Sequence, residues 1–577
     1  MAFNPSAARI AYFSMEIALE PKIPTYSGGL GILAGDMLRS AADMELPLVA
    51  VTLVYRKGYF RQRLDEFGNQ AEEADPWSPE KRLPQERATA RVVIEGREVN
   101  LRAWRYEIVG MSGHVVPVYL LDADLPPNTP ADRALTDSLY GGDPHYRLCQ
   151  EALLGLGGVE MLHTLGLSQL ENYHLNEGHS SFLALPLLEE ELQRRESHDL
   201  IEADVQAVRR QCIFTTHTPV PAGHDTFPWA MVERVLGEDR ARLLEQSDCC
   251  LPDMLNMTYL ALRLSHYVNG VAMRHEEVSQ FMFPRYPIHA ITNGVHAVTW
   301  TSPSFQAMYD HHIPEWRKDN AYLRYAVGIP LADIREAHIR AKAALLKEVK
   351  RRSGLALDES AFTIGFARRA AAYKRANLLF SDLDVLRSLA RQAGPLQIIY
   401  AGKAHPRDGE GKALIQRVFE AMAKLKNEIK AVYLENYDSS LAKCITSGVD
   451  LWLNTPLPPQ EASGTSGMKA ALNGIPSLSI LDGWWVEGCF EGSTGWAIGQ
   501  AGGAHAEEPA LEIKSLYQKL GETILPLFYK SPDDYTKVMR SAIAVNGSFF
   551  NTQRMLNQYQ ANAYSPSAPI KSKVEIR

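Results

Sequence analysis

In the second half of the chain, short apolar runs alternate with stretches in which apolar residues return every three or four positions. The runs AFTIGFA (361–367), LQIIYAG (396–402), AVYLEN (431–436), LWLNT (451–455) and PSLSIL (476–481) read as strands. Between the first two, Leu379, Leu383, Leu386 and Ala390 share one face of a predicted helix, and further helices are expected near 411–425 and 439–447. The N-terminus repeats the pattern: ARIAYFSM (8–15) predicts a strand, TYSGGLG (25–31) a glycine loop, and LPLVAVTLVYR (46–56) a second strand. Leu30, Leu33, Met37 and Ala41 line one face of the helix between them, which makes a βαβ unit.

Such alternation predicts an α/β fold with parallel sheets covered by helices, and ligands held at the C-terminal ends of the strands. Two βα-rich halves are expected, 1–285 and 286–577, joined near FPRYPIHAITNG (283–294), with the active site in the cleft between them. The segment 121–145, rich in Pro, Asp and Gly, reads as a long loop, and 565–577 as a polar, loosely held tail.

Composition narrows the partners. The chain has 577 residues, 46% hydrophobic and 22% charged, as in an ordinary globular enzyme. A net charge of −8 gives no general attraction for nucleic acid or an anionic membrane, so an anionic ligand needs a local cluster of cations. No apolar run has the length of a membrane span. The six cysteines, Cys149, Cys212, Cys249, Cys250, Cys444 and Cys489, lack paired metal-ligand spacing and fit a reduced cytoplasm. The first residues carry no pattern of a secretion signal.

Four stretches carry candidate chemistry. FARRAAAYKR (366–375) gathers Arg368, Arg369, Lys374 and Arg375 at a strand end, as an anion site or a solvated basic helix start. YSGGLG (26–31) is either a phosphate-approach loop or a plain turn. NYHLNEGHSSF (172–182) and CIFTTHTPVPAGHDTF (212–227) collect His174, His179, His217 and His224 with Asn176, Glu177 and Asp225. Their spacing is not that of a zinc site; sugar hydrogen bonding and structural loop histidines both remain open. In EASGTSGMKAAL (461–472), Lys469 follows a glycine-rich turn, either as an exposed helix lysine or as a partly desolvated amine suited to carbonyl chemistry.

EASGTSGMKAALNG (461–474) resembles the pyridoxal-phosphate segment of the α-glucan phosphorylases. With it, in the family's order, come SGGLGILAGD (27–36), HLNEGHSSF (174–182), TTHTPVPAGHD (215–225), TNGVH (292–296), YKR (373–375), ENYDSSLA (435–442) and FFNTQRM (549–555). The resemblance spans residues 8 to 560. It implies a GT-B architecture of two Rossmann-like domains, the C-terminal helices packing back on the first. It implies reversible, retaining phosphorolysis of the non-reducing-end glucose of an α-1,4-glucan by orthophosphate, giving α-D-glucose 1-phosphate.

By the same resemblance, Lys469 would form the Schiff base with pyridoxal 5'-phosphate, whose phosphate would act as proton partner. Gly464, Thr465 and Ser466, with Arg368 and Lys374, would hold that phosphate, and Tyr12 and Tyr437 would pack near the cofactor. Arg369, Lys374 and the turn Gly28, Gly29 and Leu30 would hold the substrate phosphate. Asn293, Glu461, Ser463, Gly464 and His217 would meet the terminal glucose, and Asn176, Glu177 and His179 the neighbouring sugar path. A homo-oligomer and no metal are expected. Where the long regulated forms have His-Glu and an arginine, this chain has Ala371-Ala372 and Asp438, so it resembles the short bacterial type without the regulatory N-terminal extension. The alternatives are a sugar-nucleotide transferase of the same fold and a non-catalytic glucan-binding relative. A pyridoxal enzyme of amino-acid metabolism would need an Asp partner for the ring nitrogen, which no motif supplies.

Overall fold

The computed structural model describes residues 4–247, 250–251, 253–499 and 509–565. Cys249 and the tail after Ser565 lie outside the described residues. Two large sheets dominate.

The first contains β1 (Ile10–Ser14), β2 (Leu48–Leu53), β3 (Gln85–Ile94), β4 (Arg97–Val109), β5 (Val115–Asp122), β6 (Asn172–Asn176), β7 (Cys212–Thr215), β8 (Tyr267–Gly270) and β9 (His289–Ala290). Their order is β9-β8-β7-β6-β1-β2-β5-β4-β3. All pairs from β9 to β5 are parallel, whereas β5, β4 and β3 form an antiparallel extension. Helix α1 (Gly29–Asp43) connects β1 to β2, as the βαβ reading expects; Leu33, Met37 and Ala41 face the core while Leu30 is half-buried.

The second sheet contains β10 (Phe362–Ala367), β11 (Leu396–Ala401), β12 (Lys430–Leu434), β13 (Leu451–Asn454), β14 (Ser477–Ile480) and β15 (Gly495–Ile498). All pairs are parallel, in the order β12-β11-β10-β13-β14-β15. This is a doubly wound order, reversing between β10 and β13. Such a switch point opens a crevice beyond the strand ends, and the loop after β13 enters it before α2 (Ser466–Ala471).

Three expectations need correcting. The helix predicted through Leu379 starts only at Leu383, because Asp382 turns its carboxylate onto the N–H groups of Asp384 and Val385, both at 3.0 Å, and caps it there. Strand β15 extends the sheet past the last predicted strand. The segment 121–145 contains a short helix, Pro130–Arg133, and its buried Asp122 holds Arg56 and Arg102 at 2.6 and 2.9 Å.

The chain leaves the first sheet through residues 291–296 and returns through 549–552. There Val295 and Asn551 form a parallel bridge, with Val295 N–H donating to Phe550 O at 3.2 Å and Thr552 N–H to Val295 O at 3.1 Å. The last helix, α3 (Thr552–Asn562), then packs Met555, Leu556 and Tyr559 into one core with Ile10, Tyr12 and Leu33. Gly294 is what lets the two crossings touch: a Cβ there would lie 2.2 Å from the Asn551 carbonyl carbon and oxygen. Gly294→Ala is expected to cost about 2–3 kcal/mol, read as a lower urea midpoint at unchanged slope.

Candidate active site

The crevice collects cations. Arg368 and Arg369 follow β10, and Lys374 comes one turn later. Across from them, after β13, the buried Glu461 accepts from Arg368 Nη2 at 2.5 Å and from Lys374 Nζ. Burial alone would raise the Glu461 carboxyl, but the two cations outweigh it and hold it down at about 2. Arg368 Nη1 is buried with no hydrogen-bond partner among the described residues, and Ser463 Oγ, two residues after Glu461, is in the same state. Arg369 is exposed and makes no ion pair among the described residues. Asp482 accepts the Glu461 N–H at 2.9 Å, and burial first, then the Glu461 charge, push it up to about 7. Arg368 and Lys374 thus share one firmly ionised carboxylate, with the exposed Arg369 next to them on the chain, a local excess of positive charge.

Lys469 sits on α2 and is only 7% exposed, so the exposed-lysine reading falls. Gly464, at φ +80°, makes the turn before it, a conformation that favours glycine. The Lys469 Nζ lies 4.0 Å from the centroid of the Trp300 ring. The indole Nε1–H donates to Asp36 Oδ2 at 2.6 Å, while Asn473 Nδ2 ties the two backbones together, donating to Trp300 O at 2.9 Å and Lys469 O at 3.0 Å. Burial pushes the amine down to about 8, with Asp36 limiting the fall. About a tenth of it is therefore unprotonated at pH 7, far more than for a free lysine, and that is the state a nucleophilic amine needs.

The glycine turn opens α1, the helix whose Asp36 holds Trp300. A Cβ at Gly28 or Gly29 would meet nothing within 4 Å. The N–H groups of Gly29, Leu30 and Gly31 open α1 and have no partner among the described residues, so the turn presents orphan donors at the positive end of a helix. The Gly28 N–H, by contrast, donates to Glu16 Oε2 at 3.1 Å. Tyr26 joins the turn to the second sheet, its hydroxyl accepting the Ser439 N–H at 2.9 Å. Asp438 caps the helix that starts there, accepting the Leu441 N–H at 2.8 Å.

The histidine stretches form a separate polar group at the ends of β6 and β7. Glu177, at φ +74°, accepts the N–H of His217 at 2.8 Å and of Gly178 at 3.0 Å, plus the Thr218 hydroxyl at 2.9 Å. His217 Nε2 hydrogen-bonds Asn176 Oδ1 at 2.7 Å, and burial pushes the ring down to about 4, so it is uncharged at neutral pH. His179 Nε2 lies 3.2 Å from Asp225 and its buried Nδ1 has no partner. Asn293 is buried with its Oδ1 unpartnered, while Arg554 Nη2 donates to its carbonyl at 2.9 Å. Tyr437 is half-buried, within the field of Arg368 and beside Tyr26. Tyr12 departs from the expectation: it is a core side chain, 5.0 Å from the His174 ring and packed with Tyr559 and Tyr564, because its position on β1 points it to the α3 side of the sheet. Among the described residues, no group of three or more His, Cys, Asp or Glu is placed to hold a metal ion.

Burial also makes two histidines acid-labile. His174 and His275, both 1% exposed, are pushed down to about 3 and about 4 by desolvation. The unfolded chain protonates both near 6.5 and the folded chain does not. Stability should therefore fall as pH drops from about 6.5 towards 4, by up to about 1.4 kcal/mol per pH unit for each ring. Urea midpoints at pH 7 and pH 5 check the sign.

A family model described as carbohydrate phosphorylase matches residues 16–106 and 237–491. The maltodextrin phosphorylase of Thermococcus litoralis is 39% identical over 600 residues, covering 96% of this chain and 70% of its own. The glycogen phosphorylase of Mycobacterium tuberculosis is 38% identical, covering 97% of this chain and 71% of its own. The chain belongs to the carbohydrate phosphorylase family. A third relative, the glycogen phosphorylase of Aquifex aeolicus, is 34% identical and is covered over 86% of its length.

Within this carbohydrate phosphorylase the family model spans the glycine turn, the basic strand end and Lys469, whereas Asn176, Glu177, His179 and His217 fall between its two matched segments. Sequence reasoning missed four residues of the site: Glu16, Asp36, Trp300 and Asn473. Asp36 had a local signal, an acid on the otherwise apolar face of α1, and it is 1% exposed. Trp300 had none, because its partners Asp36 and Lys469 lie far from it in sequence.

Proposed function

We propose that this chain is an α-1,4-glucan phosphorylase, which transfers the non-reducing-end glucose of the glucan to orthophosphate and gives α-D-glucose 1-phosphate. The observation that carries it is the buried, partly uncharged Lys469 under Trp300, beside a strand end crowded with cations. The two sheets would form the halves of a GT-B molecule, 1–285 and 286–577, with the site in the cleft between them.

The residues present fit pyridoxal phosphate. Lys469 Nζ makes no hydrogen bond among the described residues and is available for attachment; Arg368 Nη1 is a buried donor without an acceptor. Gly464, Thr465 and Ser466 would present backbone to the cofactor's phosphate, with Lys374 shared between it and Glu461. When bound, the cofactor supplies a phosphate that exchanges a proton with the substrate phosphate.

The chain's own residues do the rest. Arg369, Lys374 and the free N–H groups of Gly29, Leu30 and Gly31 hold the substrate phosphate; Gly28 does not, since its N–H is engaged by Glu16. Two phosphates side by side repel, and the cations lower that cost. The held substrate phosphate gives its proton to the glycosidic oxygen as the C1–O bond breaks, then bonds to C1 on the same face. Positive charge building at C1 is stabilised by the phosphate's own negative charge. His217 is neutral, so it orients sugar through its backbone carbonyl and leaves that charge balance unaltered. Glu461, Ser463 and Asn293 would hydrogen-bond the terminal glucose, and Asn176, Glu177 and His179 the next sugar.

The test is incubation of cofactor-loaded protein with a maltooligosaccharide and orthophosphate, with glucose 1-phosphate measured, alongside borohydride reduction and peptide mapping. Glucose 1-phosphate and a pyridoxyl group on Lys469 are expected. An unmodified Lys469 with glucosyl transfer from a sugar nucleotide would replace the proposal by the sugar-nucleotide transferase.

A further inference from the structure

Resting on the phosphorolysis reading, we infer that Glu16 is a positioning residue for substrate phosphate, fixing the glycine turn so that its three free N–H groups converge on the anion.

Glu16 lies two residues past the end of β1 and is 3% exposed. Its carboxylate is fully engaged. Oε2 accepts the N–H of Ser27 at 2.6 Å and of Gly28 at 3.1 Å, and the Ser27 hydroxyl lies 3.1 and 3.2 Å from the two oxygens. Tyr140 OH donates to Oε1 at 3.0 Å. The carboxylate therefore takes the two N–H groups just before α1 and leaves those of Gly29, Leu30 and Gly31 unclaimed. A turn with all five N–H groups free could swing; one pinned at its first two donors cannot rotate its next three away.

The neighbouring backbone supports the same assignment. Residues 16–18 lace the turn: Ile17 N–H donates to Thr25 O at 3.0 Å, and Ala18 N–H to Gly31 O at 2.8 Å. Gly31 is required by this packing, because a Cβ there would lie 2.7 Å from Glu16 Oε2 and 2.6 Å from Tyr26 Cβ. Tyr140 is itself held: Arg147 lies 4.5 Å over its ring and bonds Asp225 at 3.0 Å, and His179 lies 3.2 Å from the same Asp225. Glu16 thus joins the phosphate turn to the polar group on the proposed sugar path. Its charge also acts on Arg369, the exposed cation assigned to the same phosphate.

A purely structural carboxylate and a positioning one differ in what they change. The experiment is steady-state phosphorolysis by the cofactor-loaded enzyme, with orthophosphate and maltooligosaccharide varied in turn, for wild type, Glu16→Ala, Glu16→Gln and Tyr140→Phe. Glu16→Ala should raise KM for orthophosphate about tenfold or more, while KM for the maltooligosaccharide moves less than about threefold. Glu16→Gln keeps an acceptor oxygen and should return to within about threefold of wild type. Tyr140→Phe, which frees one side of the carboxylate, should raise KM for orthophosphate about two- to threefold. The role is overturned if both KM values rise together in Glu16→Ala, if neither moves, or if Glu16→Gln is as impaired as Glu16→Ala. Should Glu16→Ala not fold, Glu16→Gln and Tyr140→Phe decide: an unchanged orthophosphate KM in Tyr140→Phe, or a glucan KM that shifts with it, overturns the role. Wild-type turnover separates this failure from that of the phosphorylase reading. An inactive wild type overturns both, and an active wild type with an indifferent Glu16→Ala overturns only Glu16.

Discussion

Lys469→Ala is expected to lower phosphorolysis by about a thousandfold or more while leaving the protein folded. Removing the amine removes the attachment point for the cofactor, and with it the proton exchange that such a group contributes, typically about 10²–10⁴-fold. Folding should survive because the Lys469 Nζ makes no ion pair or hydrogen bond among the described residues; it lies over the Trp300 face. Its depression from 10.5 to about 8 corresponds to about 3 kcal/mol of unfavourable charging at neutral pH, so loss of the charge offsets much of the lost packing. Lys469→Arg tests the chemistry: it restores the cation over the indole but supplies a guanidinium that stays protonated and does not attach a carbonyl. Absence of rescue by arginine, with no cofactor absorbance and an unchanged far-UV spectrum, is the expected result. Full activity in either variant would end the case for a tethered cofactor.

Arg369→Ala is the second large effect, expected to lower kcat/KM for orthophosphate by about 10²–10³-fold. Here geometry separates function from stability. Arg369 is exposed and has no ion pair with a carboxylate among the described residues, its main partner being the Tyr373 hydroxyl, so its removal should lower stability by no more than about 1 kcal/mol. Arg368 is the contrasting control. It is buried on Glu461 at 2.5 Å, and removing it leaves Glu461 with Lys374 alone, so Arg368→Ala should lose stability as well as activity. Parallel urea titrations and phosphate-dependence curves for the two variants measure the distinction. Equal stability losses would mean that Arg369 is structural.

The strands of the second sheet were legible because parallel strands are covered on both faces and read as continuous apolar runs. IAYFS and LVAVTL gave β1 and β2 for the same reason. The antiparallel extension β3–β5 stood outside every expectation. β3 exposes alternate residues along its length, so it has no apolar run. The helix start at Leu383 was hidden because the Asp382 carboxylate, accepting two backbone N–H groups, outweighed an i, i+4 pattern. In the site, the cations and Lys469 were legible as local clusters. What holds them was not: Asp36 to Trp300, Asn473 to Trp300 and Gln62 to Gly402 join residues more than a hundred positions apart. Tyr12 shows the converse error, a residue assigned from its motif that strand alternation turned into the core.

The return of α3 to the first sheet has a consequence for how the chain is made. The Tyr564 hydroxyl hydrogen-bonds His174 at 2.7 Å, and Tyr559 packs against the same ring, so α3 and the residues just after it close a core that begins at β1. During synthesis the strands of that sheet are complete by Ala290, yet their covering helix emerges only with residues 552–562. At about 5–20 residues per second, the interval is roughly a quarter of a minute to a minute. Through that time Tyr12 and His174 lack their cover, and the whole second sheet must leave the ribosome as an insertion into an unfinished first one. The nascent chain is therefore most exposed to aggregation and to chaperone capture after its first sheet has emerged and before its final helix arrives.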